Sequence, residues 1–294
     1  MASLKETKTR IASVKSTLQI TSAMKMVAAA KLHRTQMAIA GMMPYQEKLS
    51  EILQDLLADG GVRKSLESPL LTAGGSRRVA VVAFSSNSSL CGGFNATAVK
   101  SLLGELEALA KEGLSHEDID FYPVGRKVAE AGRKIGLPAR TDSSHLLDKP
   151  AYEPAAGLAR QLIESFEKGE VGRIVLLYNH YKSNAAQPPV RETYLPLTLP
   201  AGAAIAPESE EEDLIVEPGK KEVLESLIPK VLLLKVYTVL MDSCAAEHAA
   251  RTVAMQLASD NADDLLEQLT LEYNKRRQQA ITSELLDIVG GSLA

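Results

Sequence analysis

The chain has 294 residues, 45% of them hydrophobic, 24% charged and 4% aromatic, with no Trp and a formal net charge of −4. That profile excludes a disordered acidic chain, a collagen-like polymer and a small disulfide scaffold. The length allows about two ordinary domains, and so few aromatics means a core of Ala, Leu, Val, Ile and Met, which suits packed helices.

The charge is unevenly spread. Lys5, Lys8, Arg10, Lys15, Lys25, Lys31 and Arg34 face only Glu6 within the first 36 residues, a balance of +6 that leaves −10 for the rest. A merely solvated helix face would intersperse Glu at i,i+4. A basic segment on an acidic protein instead implies an anionic partner: nucleic acid, anionic lipid or an acidic protein surface. The segment lacks interleaved aromatics for base stacking and the sequence pI is about 5.8, so an acidic protein surface fits better than nucleic acid.

Steps of seven from Leu4 reach Ile11, Leu18, Lys25, Leu32 and Ile39, and the offset set is Thr7, Val14, Thr21, Ala28, Thr35 and Met42. This is a heptad seam with small and polar members. Pro44 is expected to kink or restart the helix, after which Leu49, Ile52, Leu53, Leu56 and Leu57 continue the spacing until Gly60 and Gly61 end it.

Between 77 and 199 the period changes. RRVAVVAF (77–84), IDFYPV (119–124) and RIVLLY (173–178) read as buried strands. They alternate with helical stretches near 97–111, 126–135 and 152–168, which implies a parallel sheet with right-handed crossovers. The segment 190–199 carries Pro196 and suits an edge strand. Next comes a Pro-punctuated acidic run, Glu208, Glu210, Glu211, Glu212, Asp213 and Glu217, which reads as a solvated linker.

From Lys230 onward no proline occurs, and Val239, Ser243, Ala246, Ala250, Val253 and Leu257 alternate by three and four. Asp260 and Asp264 break that register, and a shifted stripe resumes at Leu266, Leu269, Tyr273 and Ala280, as a stutter would produce. Helices over 3–57 and 230–289 would be about 80 and 90 Å long, each with a narrow stripe to bury. An antiparallel coiled coil of the two terminal segments is the economical solution.

Catalytic chemistry finds little support. The loop after the first strand, SSNSSLCGGFN (85–95), has neither a dinucleotide fingerprint nor a P-loop, and its hydroxyls and Gly92-Gly93 read as turn and cap chemistry. His33, His116, His145, His180 and His248 show no metal-ligand spacing, and no GxSxG elbow is present. Cys91 and Cys244 form no CxxC pair and read as buried thiols of a reducing compartment. No cofactor is expected. No stretch reaches the ~18 apolar residues of a membrane span, and the N-terminus shows no apolar signal core, so no presequence is expected.

The opening KTRIASVKSTLQITSAMKMVAAAKLHRTQ (8–36) and the closing EHAARTVAMQLASDNADDLLEQLTLEYNKRRQQAITSELLDIVGG (247–291) resemble the gamma-subunit family of F-type ATP synthases, as does LCGGFN (90–95). The resemblance covers essentially the whole chain. It implies an α/β plus coiled-coil fold, with long antiparallel N- and C-terminal helices and an inserted Rossmann-like α/β domain. The expected parts are 1–59, 76–200, an acidic linker at 201–219 and 220–294.

It implies a non-catalytic rotor shaft inside a ring of alternating alpha and beta subunits, with its α/β domain beside epsilon and the membrane c-ring. Membrane contact would be indirect, at the cytoplasmic face of a bacterial plasma membrane. Rotor–stator contacts would fall to Met24, Lys25, Lys31, Arg34, Arg277, Gln278 and Thr282, with Met24 and Lys25 near an acidic lever of beta. The tail ending in Gly290, Gly291 and Ser292 would ride in an apolar bearing. For Met24, seam packing is an equal alternative from spacing alone. The family often has Asp-Arg-Gly where this chain has Asn87-Ser88-Ser89, which puts an ionic role of that loop in doubt, and the inserted dithiol segment of photosynthetic members is missing, so thiol switching is not expected. A coiled-coil tether with an α/β head is the alternative function.

Overall fold

The computed structural model describes residues 4–58, 69–72, 75–197 and 216–292. A long helix α1 (Leu4–Ala58) opens the chain and α5 (Lys220–Ser292) closes it. Between them run β1 (Val79–Phe84), α2 (Phe94–Lys111), β2 (Ile119–Val124), α3 (Arg126–Lys134), α4 (Tyr152–Glu167), β3 (Arg173–Asn179) and β4 (Pro189–Leu195). The strand and helix alternation read from the sequence is therefore present. The acidic run Glu208 to Asp213 and Leu199 of the expected edge strand lie outside the described residues.

Two prolines lie inside helices. α1 continues past Pro44 without a restart, and α5 begins ten residues before Lys230 and includes Pro229. Leu227, Ile228 and Leu232 are buried around Pro229, whereas Pro44 lies between exposed Met43 and Tyr45 and the first buried residue after it is Leu53. Around Pro229, side-chain burial of that kind offsets the lost backbone bond, which costs about 3 kcal/mol in an unsupported helix.

Contacts divide the chain into two compact units that each take part of both long helices: Met1–Ala30 with Arg251–Ala294, and Lys31–Ala250.

In the larger unit the sheet has strand order β2-β1-β3-β4. β1 pairs in parallel with β2 and β3, and β4 is antiparallel on β3. The expected edge strand is there, and it runs against its neighbour because a short connection from β3 can only return antiparallel. Strand alternation sends Ala80, Val82, Phe84, Val124, Ile174 and Leu176 to one face, where they meet α4, Leu53 and Leu56 of α1, and the 224–244 stretch of α5. Val81, Ala83, Phe121, Val175 and Leu177 go to the other face, against Leu102, Leu106 and Leu109 of α2 and Val128 of α3. With helices on both faces, β1 reads as a continuous apolar run and β3 nearly so, whereas β2 and β4 form the two edges and carry Asp120, and Arg191 and Glu192, respectively.

Polar ties join β4 to α5. The Tyr194 hydroxyl donates to the Leu232 carbonyl at 3.0 Å in a buried position, and burial pushes its phenol pKa up. Lys235 pairs with Glu192 at 2.7 Å. His180 stands 2.7 Å from the Asp242 carboxylate, which also accepts the Tyr181 backbone N–H at 2.8 Å. Cys244 and Cys91 are both buried free thiols. Burial pushes the Cys244 thiol well up, with the Glu247 carboxylate adding to it, so that sulfur is held as an inert thiol.

In the smaller unit the seam read from the sequence is the one that is buried. The buried residues of α1 up to Ala30 are Thr7, Thr21 and Ala28, with Leu4, Ile11, Val14 and Leu18 half-buried beside them. Opposite them on α5 lie buried Arg251, Met255, Ser259, Ala262 and Leu269, and half-buried Leu266, Tyr273 and Ala280. One sequence expectation needs correction here. Leu257 is 59% exposed, because consecutive four-residue steps from Arg251 to Met255 to Ser259 move the stripe before Asp260 rather than after it. A stutter of that kind locally unwinds a coiled coil.

Glycine placement gives a packing test. A Cβ on Gly132 of α3 would sit 2.5 Å from a ring carbon of the buried Phe121 and 3.1 Å from the Leu137 carbonyl, whereas one on Gly104 of α2 meets nothing within 4 Å. Gly132→Ala is expected to destabilise the chain by about 1–3 kcal/mol and Gly104→Ala to stabilise it by about 0.5–1 kcal/mol. Shifts of opposite sign in the urea midpoint at unchanged slope check both.

Candidate functional site

The two helices of the smaller unit run antiparallel, as their cross-seam hydrogen bonds show. The Thr21 and Ser259 hydroxyls are 2.8 Å apart and buried, and Ser22 approaches the same Ser259 oxygen at 3.4 Å. Four residues further along α1 and three back along α5, Lys25 donates to the Gln256 side-chain carbonyl, and the Gln256 amide donates to Asp260 at 2.6 Å. Small residues let the backbones approach, and hydroxyls and amides fix which residue faces which.

This geometry locates the residues singled out from the sequence. Lys25 is half-buried at its seam position and its ammonium spans to the partner helix. Met24 is half-buried beside it. Spacing by four and three puts Ile20, Met24 and Val27 on one stripe next to the seam, and Ile20 and Val27 are 59% and 57% exposed. Lys31 and Arg34 continue that spacing in the larger unit. Both are exposed, and neither side chain makes a hydrogen bond or ion pair among the described residues. The same holds for Lys5, Lys8, Arg10 and Lys15, so the basic character of α1 is left available to a partner.

Arg277, Gln278 and Thr282 are exposed on α5. They do not converge with Met24 and Lys25, because Gln256 lies opposite Lys25 and Arg277 is roughly 30 Å further along the helix. Arg276 pairs with Glu272 on its own helix, whereas the Arg277 side chain has no such partner among the described residues. The Thr282 hydroxyl donates back to the Gln278 carbonyl at 2.9 Å, which leaves its oxygen lone pairs and the Gln278 amide to bond outward. Equal rise brings Leu4 level roughly with Arg276, so these three residues sit where α5 has outrun the first described residue of α1.

Sequence reasoning passed over the apolar residues off the seam. Met26 and Leu271 are exposed, as are Ile281, Leu285, Leu286, Ile288 and Val289 of the last turns of α5. The available signal was apolar side chains at positions outside the heptad set, which a seam leaves in water.

The loop after β1 carries turn and cap chemistry, as its residue types suggested. Ser85 Oγ accepts the Val128 N–H at 3.0 Å, and Ser86 Oγ donates to Asn95 Oδ1 at 2.9 Å. Asn87 accepts the Arg126 N–H at 3.1 Å and donates to the Ser144 carbonyl at 2.9 Å and Asp148 at 3.0 Å. A carboxylate at position 87 would lose both donated bonds and face the Asp148 charge. Gly125, at φ +122°, lets the β2–α3 turn pass so close that a Cβ would stand 2.5 Å from Ser85 Oγ.

The hydroxyl pair in the seam yields a thermodynamic test. Thr21→Val leaves the buried Ser259 hydroxyl with only its long contact to Ser22 and is expected to cost about 1–3 kcal/mol, while adding Ser259→Ala removes the poorly satisfied group and returns most of that loss. Chemical denaturation of the two single variants and the double variant reads the coupling. Strict additivity would refute a direct bond.

Comparison with known proteins points one way. A family profile described as ATP synthase matches residues 3–294. An ATP synthase gamma chain from Phocaeicola vulgatus is 52% identical over all of both chains, and one from Bacteroides thetaiotaomicron is 50% identical, again with full coverage of both. Among solved structures, a chain of the Euglena gracilis mitochondrial ATP synthase complex containing OSCP, F1 and the c-ring superposes with a TM-score of 0.62 at 21% identity, covering 99% of this chain and 93% of that one. A rotor chain of the same organism's enzyme gives 0.61 at 19% identity, covering 95% and 98%. At those identities the structural likeness speaks for the fold, and the full-length sequence relatives speak for the family. An antiparallel seam with a chemically active exterior, carried by a chain half identical to gamma chains over its full length, leaves one conclusion: the chain belongs to the ATP synthase gamma-chain family.

Proposed function

We infer that this chain turns, and that the outer surface of its two-helix coil is what the surrounding subunits read. Family membership makes it a non-catalytic subunit of an ATP synthase with the role of central shaft. The observation that carries the mechanical reading is the division of labour across the coil. Hydrogen-bonded Thr21, Ser259, Lys25 and Gln256 hold the seam, while Ile20, Val27 and the end of α5 present apolar side chains to the outside.

A shaft drives a cycle only by contacting each state of its partner differently. The stripe Ile20, Met24, Val27 supplies an apolar side of the coil, and much of the rest of its circumference is polar or charged, so rotation would present chemically different faces in turn. Contacts that must be exchanged cannot be deep ion pairs, since breaking a buried pair costs about 3–5 kcal/mol. Apolar and amide groups such as Met24 and Gln278 suit shallow, renewable contact. The partners proposed on this reading are alpha and beta around the coil, beta offering an acidic lever to the cations of α1, with epsilon and the membrane c-ring at the α/β domain. The chain would then be peripheral at the cytoplasmic face of a bacterial membrane; among the described residues no helix is long and apolar enough to cross one.

Affinity purification through a tag on this chain is expected to bring down stoichiometric alpha and beta subunits. Recovery of the chain without them would favour a tether over a rotor. Met24→Lys is expected to place a charge against the acidic lever. An exposed ion pair is worth only about 0.2–1 kcal/mol but gains when a partner closes over it. Ion pumping per ATP hydrolysed should therefore fall severalfold in reconstituted vesicles, with the complex still assembled; unchanged pumping would remove Met24 from the contact surface.

A further inference from the structure

α2 has more apolar surface than the sheet uses. Its core face is Phe94, Ala98, Leu102, Leu106 and Leu109. A second stripe, Ala96, Val99 and Leu103, lies beside it at three- and four-residue spacing, and Leu103 is 41% exposed. α3 answers with Ala131 and Ile135 across a groove of about 590 Å³. The rim is basic: Lys100 on α2, and Lys127 and Lys134 on α3. Glu130 is the one acidic group lining the groove and it is spent on Lys127 at 3.1 Å. The Lys100 and Lys134 ammonium groups make no hydrogen bond or ion pair among the described residues. An apolar floor between free cations is complementary to an amphipathic helix whose apolar ridge is flanked by carboxylates, the helix-in-groove mode of recognition.

We propose that the α2–α3 groove is a docking site for an acidic amphipathic helix of another protein. The site is independent of the coiled coil: none of its residues belongs to α1 or α5, and the rotor reading stands whether or not the groove is used. Leu103 and Val99 take the apolar ridge of the bound helix, and Lys100 and Lys134 pair with carboxylates on either side, which fixes its orientation.

The test uses the full chain and two synthetic amphipathic helices with the same leucine ridge, one flanked by Glu and the other by Lys. The Glu-flanked peptide is expected to saturate in the micromolar range, to weaken with added salt, and to lose about tenfold or more in affinity with Leu103→Glu and with the double change Lys100→Glu, Lys134→Glu. Because both native cysteines are buried, Glu107→Cys, exposed one turn beyond Leu103, takes a single fluorophore whose emission should shift when the peptide binds. These positions are on the surface, and an unchanged circular dichroism melt keeps the comparison valid. Equal affinity for both peptides, or affinity untouched by the substitutions, overturns the proposal. So does binding to anionic vesicles without peptide binding, or self-association of the chain that Leu103→Glu abolishes, each of which assigns the groove to a different occupant.

Discussion

The shaft depends on a seam too narrow to hold it by apolar area alone. Among its buried members in the smaller unit Met255 and Leu269 are the large apolar ones, while Thr7, Thr21, Ala28, Ser259 and Ala262 are small, and small side chains of this kind bury little surface at about 25 cal/mol per Å². Such a seam lets two helices approach closely, which favours stiffness and dispersion contact. Its weakness is register, since Ala and Thr pack almost equally well one step along. The buried Thr21–Ser259 bond and the part-buried Lys25–Gln256 bond supply what shape does not, because a slipped pairing would leave the Thr21 and Ser259 hydroxyls unmatched.

The same economy frees the outside. A coil that held together through large apolar residues would spend Ile, Met and Leu inward, but here Ile20, Met26, Val27, Leu271 and Leu286 are left in water. For an isolated monomer that is a solubility cost. On the proposed rotor reading it would serve as contact surface, and the cations of α1 that make no ion pair among the described residues would add a charge asymmetry.

Legibility from sequence followed the strength of the physical constraint. The strands of the sheet were plain because both faces are covered, so their residues had to be continuously apolar, and the seam of α1 was plain because no charged residue other than Lys25 interrupts it. Lys25 itself shows the limit: its heptad position pointed to the seam and its charge pointed outward, and the Gln256 amide reconciles the two by accepting the ammonium inside the coil. The register of α5 was harder. Leu257 fits a three-and-four alternation in letters alone, and only the facing helix reveals that Met255 and Ser259 are the inward pair. Pro229 shows the same limit, since a local rule about backbone donors gives no weight to Leu227, Ile228 and Leu232, which bury that stretch of α5.

The larger unit shows why its nucleotide-fold appearance carries no catalytic weight. In open α/β sheets the chemistry sits in loops beyond the carboxyl ends of the strands, and here that position is filled by side chains bonding one another. Ser85 caps α3, Ser86 is tied to Asn95, and Asn87 uses its acceptor and both donors on Arg126, Ser144 and Asp148. A loop that must greet a ligand keeps donors free or pays to release them; this one uses them to lock the β1–α2 and β2–α3 turns together. Those bonds make that end of the sheet rigid.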